Sequence, residues 1–141
     1  MSVKEVKIVV VGDGCCEKKP VLEVLNNRPY FERCDYSCWD NYSQDVNIDN
    51  IPYRFHIWDT AGQDEFDRIR PLSYSGADAI LLCFSLDSKS SLYNLSEKWI
   101  GELNHHCPKA KIILIGTKSD LRITGNKNHI TDQEANQFLT E

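Results

Sequence analysis

Gly12 and Lys18 stand at the spacing of a phosphate-binding loop. The pattern is G-x-x-x-x-G-K-[ST], and the chemistry behind it is anion capture. Backbone N–H groups and a helix N-terminus converge on the phosphate, the lysine adds a point charge, and a Ser or Thr hydroxyl holds Mg²⁺. Here the run reads Gly12-Asp13-Gly14-Cys15-Cys16-Glu17-Lys18-Lys19-Pro20. Glu17 occupies the place of the second glycine and puts a carboxylate beside the intended phosphates. Lys19 occupies the hydroxyl position, and an ammonium has donors but no lone pair for a metal. Pro20 has no N–H, although proline is well tolerated in a first helical turn. A charge-assisted hydrogen bond contributes about 1.5–3 kcal/mol, and about 1.4 kcal/mol is tenfold in affinity. Together the three changes predict nucleotide binding weakened by several orders of magnitude.

Two further clusters have the residue types that such a loop needs beside it. The first is Trp58-Asp59-Thr60-Ala61-Gly62-Gln63. An acidic residue at a strand end near a phosphate loop is a Walker-B-type partner for Mg²⁺. Gly62 lets backbone approach a terminal phosphate, and Gln63 is placed to orient a water for in-line attack. The second is Thr117-Lys118-Ser119-Asp120. A carboxylate such as Asp120 accepts two N–H bonds from the edge of guanine, which adenine cannot supply. A site built on those bonds rejects the wrong base because its polar groups are left unpaired. Taken alone, either cluster is also consistent with an ordinary turn.

The elements that must position these residues are legible as alternation. The apolar run within 3–11 predicts a strand, and 18–26 predicts a helix with Val21, Leu22, Val24 and Leu25 on its apolar side. Residues 27–41 show turn residues and aromatics without a period, the mark of a long loop. Segments 42–48 and 53–58 alternate as strands about the turn Asp49-Asn50, an antiparallel hairpin. Segments 79–86 and 111–117 are near-continuous apolar runs, as in strands buried on both faces. Between them, 90–106 carries Leu92, Leu95, Trp99, Ile100 and Leu103 at helical spacing. Thr131-Asp132-Gln133-Glu134 is a capping box opening a last helix. This alternation implies an α/β fold, a mostly parallel sheet with one antiparallel hairpin, in a single domain spanning 1–141. Ligand chemistry belongs at the carboxyl ends of its strands.

Composition narrows the class further. The 141 residues carry a net charge of −5 without blocks of like charge, so nothing points to nucleic acid. No apolar run approaches a membrane span, and the N-terminus does not read as a signal peptide, so a cytoplasmic location is expected. The six cysteines form no C-x-x-C pair and show no zinc-type spacing. Cys83 reads as a buried small hydrophobe. His105-His106-Cys107 admits a metal cluster but is better explained as a helix end, because cations suit the last turn and Pro108 follows. Cys15 and Cys16 are expected on an exposed loop, open to oxidation.

In order and together, these residues resemble the Ras superfamily of small GTPases, and within it the Rho/Rac branch. The resemblance rests on Asp59-Thr60-Ala61-Gly62-Gln63, on the run from Asp67 to Tyr74, on Glu97-Lys98-Trp99 with His105-His106-Cys107-Pro108, and on Gly116-Thr117-Lys118-Ser119-Asp120-Leu121-Arg122. It is nearly collinear from Val3 to about Arg122 and resumes weakly at Ile130.

The resemblance implies a P-loop NTPase G domain that binds GTP or GDP with Mg²⁺ and signals through nucleotide-dependent switch loops. Nucleotide contacts would fall on Gly12, Asp13, Gly14, Cys15, Cys16, Glu17, Lys18 and Lys19. Others would fall on Tyr30 beside the base, on Ser37, on Asp59-Thr60-Ala61-Gly62, and on Thr117, Lys118, Asp120 and Leu121. Gln63 would be catalytic, and Ser37 and Asp59 would stand at the metal, which Lys19 makes doubtful. Effectors and regulators would meet the switch loops at about 34–42 and 59–74.

The chain departs from the family's pattern elsewhere too. It has lost the usual proline before Ser37 and is too short between Arg122 and Ile130 for the charged Rho insert. It stops before the family's last strand and helix and encodes no C-terminal prenylation box or other lipid anchor. Two functions stay open: a guanine-nucleotide switch with weakened Mg²⁺ and phosphate binding, or a catalytically dead pseudo-GTPase serving as a protein-interaction module.

Overall fold

The computed structural model describes residues 2–14, 16, 18–25 and 40–140. Its centre is a five-stranded sheet in the order β2-β3-β1-β4-β5, with β1 Lys4–Gly12, β2 Asp40–Ile48, β3 Ile51–Asp59, β4 Ala79–Ser85 and β5 Lys111–Thr117. Only β2 and β3 run antiparallel among these pairs. Asp49 and Asn50 between them have φ of 52° and 64°. Two left-handed residues are what a two-residue hairpin needs to match strand twist, and Asp and Asn tolerate that region better than most.

Side-chain alternation along β1 and β4 divides the interior in two. Val9, Val11, Ile80, Leu82 and Phe84 face Leu95, Trp99, Leu103 and Ile130. Val10, Leu81 and Cys83 instead join Ile57, Leu22 and Cys16. The first layer is covered by α2 (Lys89–Asn94), which passes through a π-helical turn (Leu95–Trp99) into α3 (Ile100–His106), and the second by α1 (Lys18–Leu25). The periodicity of 90–106 predicted helix; the π turn inside it was not visible, because it changes winding without changing which residues are apolar. α3 ends at His106, and the Cys107 N–H closes onto the Leu103 carbonyl at 2.8 Å, as the helix-end reading expects.

The capping box predicted for α4 (Asp132–Thr140) is present. The Glu134 N–H donates to Thr131 Oγ1 at 3.2 Å, and the Thr131 N–H donates back to Glu134 Oε2 at 2.8 Å.

Two expectations require correction. β5 was expected to be buried on both faces, yet Ile112 and Ile113 are 42% and 51% exposed. Among the described residues β5 pairs only with β4 and forms the edge of the sheet, and burial is set by neighbours, not by a strand's own apolarity. Cys16 was expected to be exposed and is fully buried, since the loop after β1 folds down between β4 and α1. Among the described residues no helix is long and apolar enough to cross a membrane.

Candidate functional site

Three parallel strands deliver the sequence clusters to one edge of the sheet. The register aligns Val10 with Asp59 and Gly12 with Cys83, while Ser85 meets Thr117, so the loops after β1, β3 and β5 emerge together at the carboxyl ends. Such an edge is where open α/β sheets bind ligands.

The loop after β1 begins at Gly12, with φ of 148°. A side chain there would be strained and its Cβ would overlap the Cys83 carbonyl oxygen. Lys18 returns to that loop from the first turn of α1. Its Nζ donates to the carbonyl oxygens of Gly12 at 3.0 Å and Asp13 at 3.1 Å, and the residue is 8% exposed. An ammonium has three donors, so beyond these two carbonyls among the described residues it retains a donor for an anion. Cys16 N–H closes the turn onto the Asp13 carbonyl at 3.1 Å. Burial pushes the Cys16 thiol up to about 11, against the opposing pull of the nearby Lys18 charge. Cys16 thus packs as a small hydrophobe within the layer of Val10, Leu22 and Cys83, without the exposure that its expected oxidation requires.

The loop after β3 presses on this one. Asp59 is buried at the strand end, and Thr60 Oγ1 donates to the Val10 carbonyl at 2.6 Å. Ala61 is also buried. A Cβ on Gly62 would overlap the Gly12 carbonyl oxygen and lie 2.7 Å from the Gly14 nitrogen. Gly62 was expected to let backbone approach a phosphate; what it permits in this structure is backbone-to-backbone contact with the phosphate loop. Gln63 lies across the loop's mouth, its Cδ 3.5 Å from where a Gly14 Cβ would stand.

After β5, Thr117 Oγ1 donates to the Phe84 carbonyl at 3.1 Å. Lys118 then adopts a left-handed backbone at φ 59° and ψ 38°. A non-glycine residue held there costs on the order of 1–3 kcal/mol, and such strain clusters at functional sites. The turn that follows exposes Asp120 and Leu121 to solvent, and the Leu121 N–H donates back to the Lys118 carbonyl at 3.0 Å. β5 runs parallel to β4, which itself pairs with β1, so this loop leaves the same edge of the sheet as the loop after β1.

Residues singled out only for the resemblance or for partner contacts hold segment 61–67, the expected second switch, in place. Arg70 is fully buried, donating from Nε to the Ala61 carbonyl at 2.8 Å and from Nη2 to the Gln63 carbonyl at 3.0 Å. Its Nη1 reaches Asp67 and Glu102, each at 2.8 Å. Lys98 adds ion pairs to Asp64 at 2.6 Å and Asp67 at 3.0 Å. The Tyr74 hydroxyl donates to Glu102, and burial, then that carboxylate, hold its phenol well above the ordinary value. The available sequence signal was a loop rich in charge, followed by Lys98 and Glu102 one helical turn apart.

Other predicted positions lie outside the described residues: Cys15, Glu17, Tyr30 and Ser37, with the first switch up to residue 39. Lys19 and Pro20 fall within α1, but their side chains are outside that description.

A sheet of this order, with a glycine–lysine loop facing an acidic strand end and an αL Lys118, defines a class. A model of the Ras family matches residues 7–141, and the chain belongs to that family. Within it the likeness is to the Rho type. The chain is 43% identical over 134 residues to the GTP-binding protein RHO3 of Saccharomyces cerevisiae, covering 94% of itself and 58% of that relative. It thus spans less than two thirds of RHO3's length.

Proposed function

We propose that this chain binds a guanine nucleotide and works as a Rho-type switch whose metal and terminal-phosphate end is weakened. The observation that carries the reading is geometric: Lys18 is held on the Gly12 and Asp13 carbonyls after β1, and the left-handed Lys118 follows β5, at the same carboxyl edge of the sheet. RHO3 is named a GTP-binding protein, which agrees with it.

In this reading Lys18 donates to phosphate oxygens, and Asp120 accepts the two N–H groups on the edge of guanine. Gln63, lying over Gly14, orients a water toward the terminal phosphate. Nucleotide would supply the phosphate charge that orders both switch loops, and its loss would release them. Asp59 is an oxygen donor of the kind Mg²⁺ prefers, whereas Lys19 brings a positive charge in place of a hydroxyl. The donor set therefore suits a nucleotide better than a divalent cation. Effectors and regulators would dock on residues 34–42 and 59–74, where Leu72 is 78% exposed.

One observation favours the second reading, a pseudo-GTPase used as an interaction module. Arg70 reaches Glu102, and Lys98 reaches Asp64 and Asp67, so segment 59–74 is tied to the helix running through Lys98 and Glu102. Ion pairs of this kind support a surface displayed by the fold itself.

Titration with fluorescent GDP and ADP analogues tests the proposal. A guanine preference that disappears in Asp120→Ala is expected. Equal binding of both bases, or none of either, overturns it in favour of the interaction module.

A further inference from the structure

Asp13 puts a carboxylate inside a loop built for anions, and the structure turns it away from that loop. Asn94 Nδ2 donates to Asp13 Oδ2 at 2.7 Å, and Trp99 Nε1 donates to Oδ1 at 2.9 Å. These donors lie five positions apart in sequence. On an α-helix that is about 140° around the axis, on different faces. The π-helical turn changes this winding: the Ile100 N–H donates to the Leu95 carbonyl, the i→i+5 pattern whose wider turn narrows the angle between residues five apart.

The same indole is held on its face. Arg70 Cζ lies 4.6 Å and Lys98 Nζ 4.8 Å from the Trp99 ring centroid. Arg70 holds the carbonyls of Ala61 and Gln63, and Lys98 reaches toward that of Gly62 at 3.4 Å. Trp99 thus grips the phosphate loop with its edge and, through two cations, three consecutive carbonyls of the second switch. The ring is fully buried, so neither grip can shift without repacking around it.

We infer that Trp99 is a positioning residue that couples the phosphate loop to the second switch, with Asp13 and Asn94 as its anchor on the loop side. The functional consequence rests on the loop being a nucleotide site; the mechanical link does not. A displacement of Asp13 moves the indole edge, and Arg70 and Lys98 carry that movement to residues 61–63. The link supplies a route by which occupancy of the loop reaches the partner-facing segment.

Amide hydrogen exchange on the full chain tests the coupling without any ligand. The reporters are the N–H groups of Phe66, Asp67 and Ile69, which donate within the second switch at 3.0, 3.1 and 3.1 Å. Asp13→Ala should speed their exchange about tenfold or more, the factor corresponding to one lost charge-assisted hydrogen bond. If that variant fails to fold, Asp13→Asn gives the same test with a smaller effect. In a chain whose Trp99 indole is replaced by isosteric benzothiophene, which has no N–H, the Asp13 substitution should add nothing further. An effect confined to residues 12–16, or one that persists undiminished without the indole N–H, would overturn the inference. A fluorescent GDP titration of the unaltered chain, run in parallel, reads the nucleotide assignment separately. Loss of that assignment leaves the exchange result to decide the coupling.

Discussion

Arg70 Nε donates to the Ala61 carbonyl at 2.8 Å from a guanidinium without exposed surface. A buried cation survives only where its donors are satisfied and its charge is matched. Ala61, Gln63, Asp67 and Glu102 do both here. Arg70→Met removes the charge and leaves Glu102 facing the Tyr74 hydroxyl without its partner. Breaking a buried pair in this way costs about 3–5 kcal/mol. Urea denaturation should show a loss in that range, and Arg70→Lys should also lose most of it, because an ammonium cannot reproduce the planar fork. A loss confined to a few tenths of a kcal/mol would show that the second switch is held by other means.

The acid limb of stability follows from Asp67. Its burial raises the carboxyl, but hydrogen bonds from Arg70 and Lys98 outweigh this and hold it below its ordinary value of 3.8. A depressed folded pKa contributes stability that is fully present above the unfolded value and lost as pH falls through the folded one. The urea midpoint of the unaltered chain should therefore begin to fall as pH drops toward the ordinary value of 3.8 and keep falling until pH has passed the depressed folded value. Asp67→Asn should flatten that drop. The effect should shrink in high salt, since the Asp67 side chain is 43% exposed.

Lys118 is strained for a reason that stability alone does not require. Lys118→Gly should raise stability by about 1 kcal/mol, because glycine adopts a left-handed backbone without the Cβ clash. The same change should weaken guanine-nucleotide binding, because it removes the residue that the strain positions. Thermal unfolding and nucleotide titration on one variant, moving in opposite directions, would separate the two effects. A destabilised Lys118→Gly would mean that its side chain, not its backbone, holds the turn.

Much of the frame was legible because its signals are local. Asp49-Asn50 between alternating strands announces its own hairpin, and Thr131 with Glu134 writes its own cap. Gly12, Lys18, Asp59 and Lys118 were singled out from motif spacing, and the parallel register delivers the loops after β1, β3 and β5 to one edge of the sheet. What escaped depends on distant partners. The Asp13 carboxylate meets Trp99 across 86 positions of sequence, and nothing in either residue's surroundings names the other. Cys16 looked exposed because its loop neighbours are polar, yet its side chain points into the layer below the sheet. The exposure of β5 escaped for a similar reason: Ile112 and Ile113 read as core residues until the neighbours across them are known. Arg70 was visible within a matching run, but its burial against Glu102 required the fold.

The claim on which the account rests is that this site receives a guanine nucleotide with little help from a divalent metal. The direct measurement is a fluorescent GDP titration of the purified chain in Mg²⁺ and again in excess chelator. The predicted result is weak binding that chelation barely changes, tightened by about tenfold or more and made Mg²⁺-dependent by Glu17→Gly with Lys19→Thr. Tight binding by the unaltered chain that chelator abolishes would contradict it.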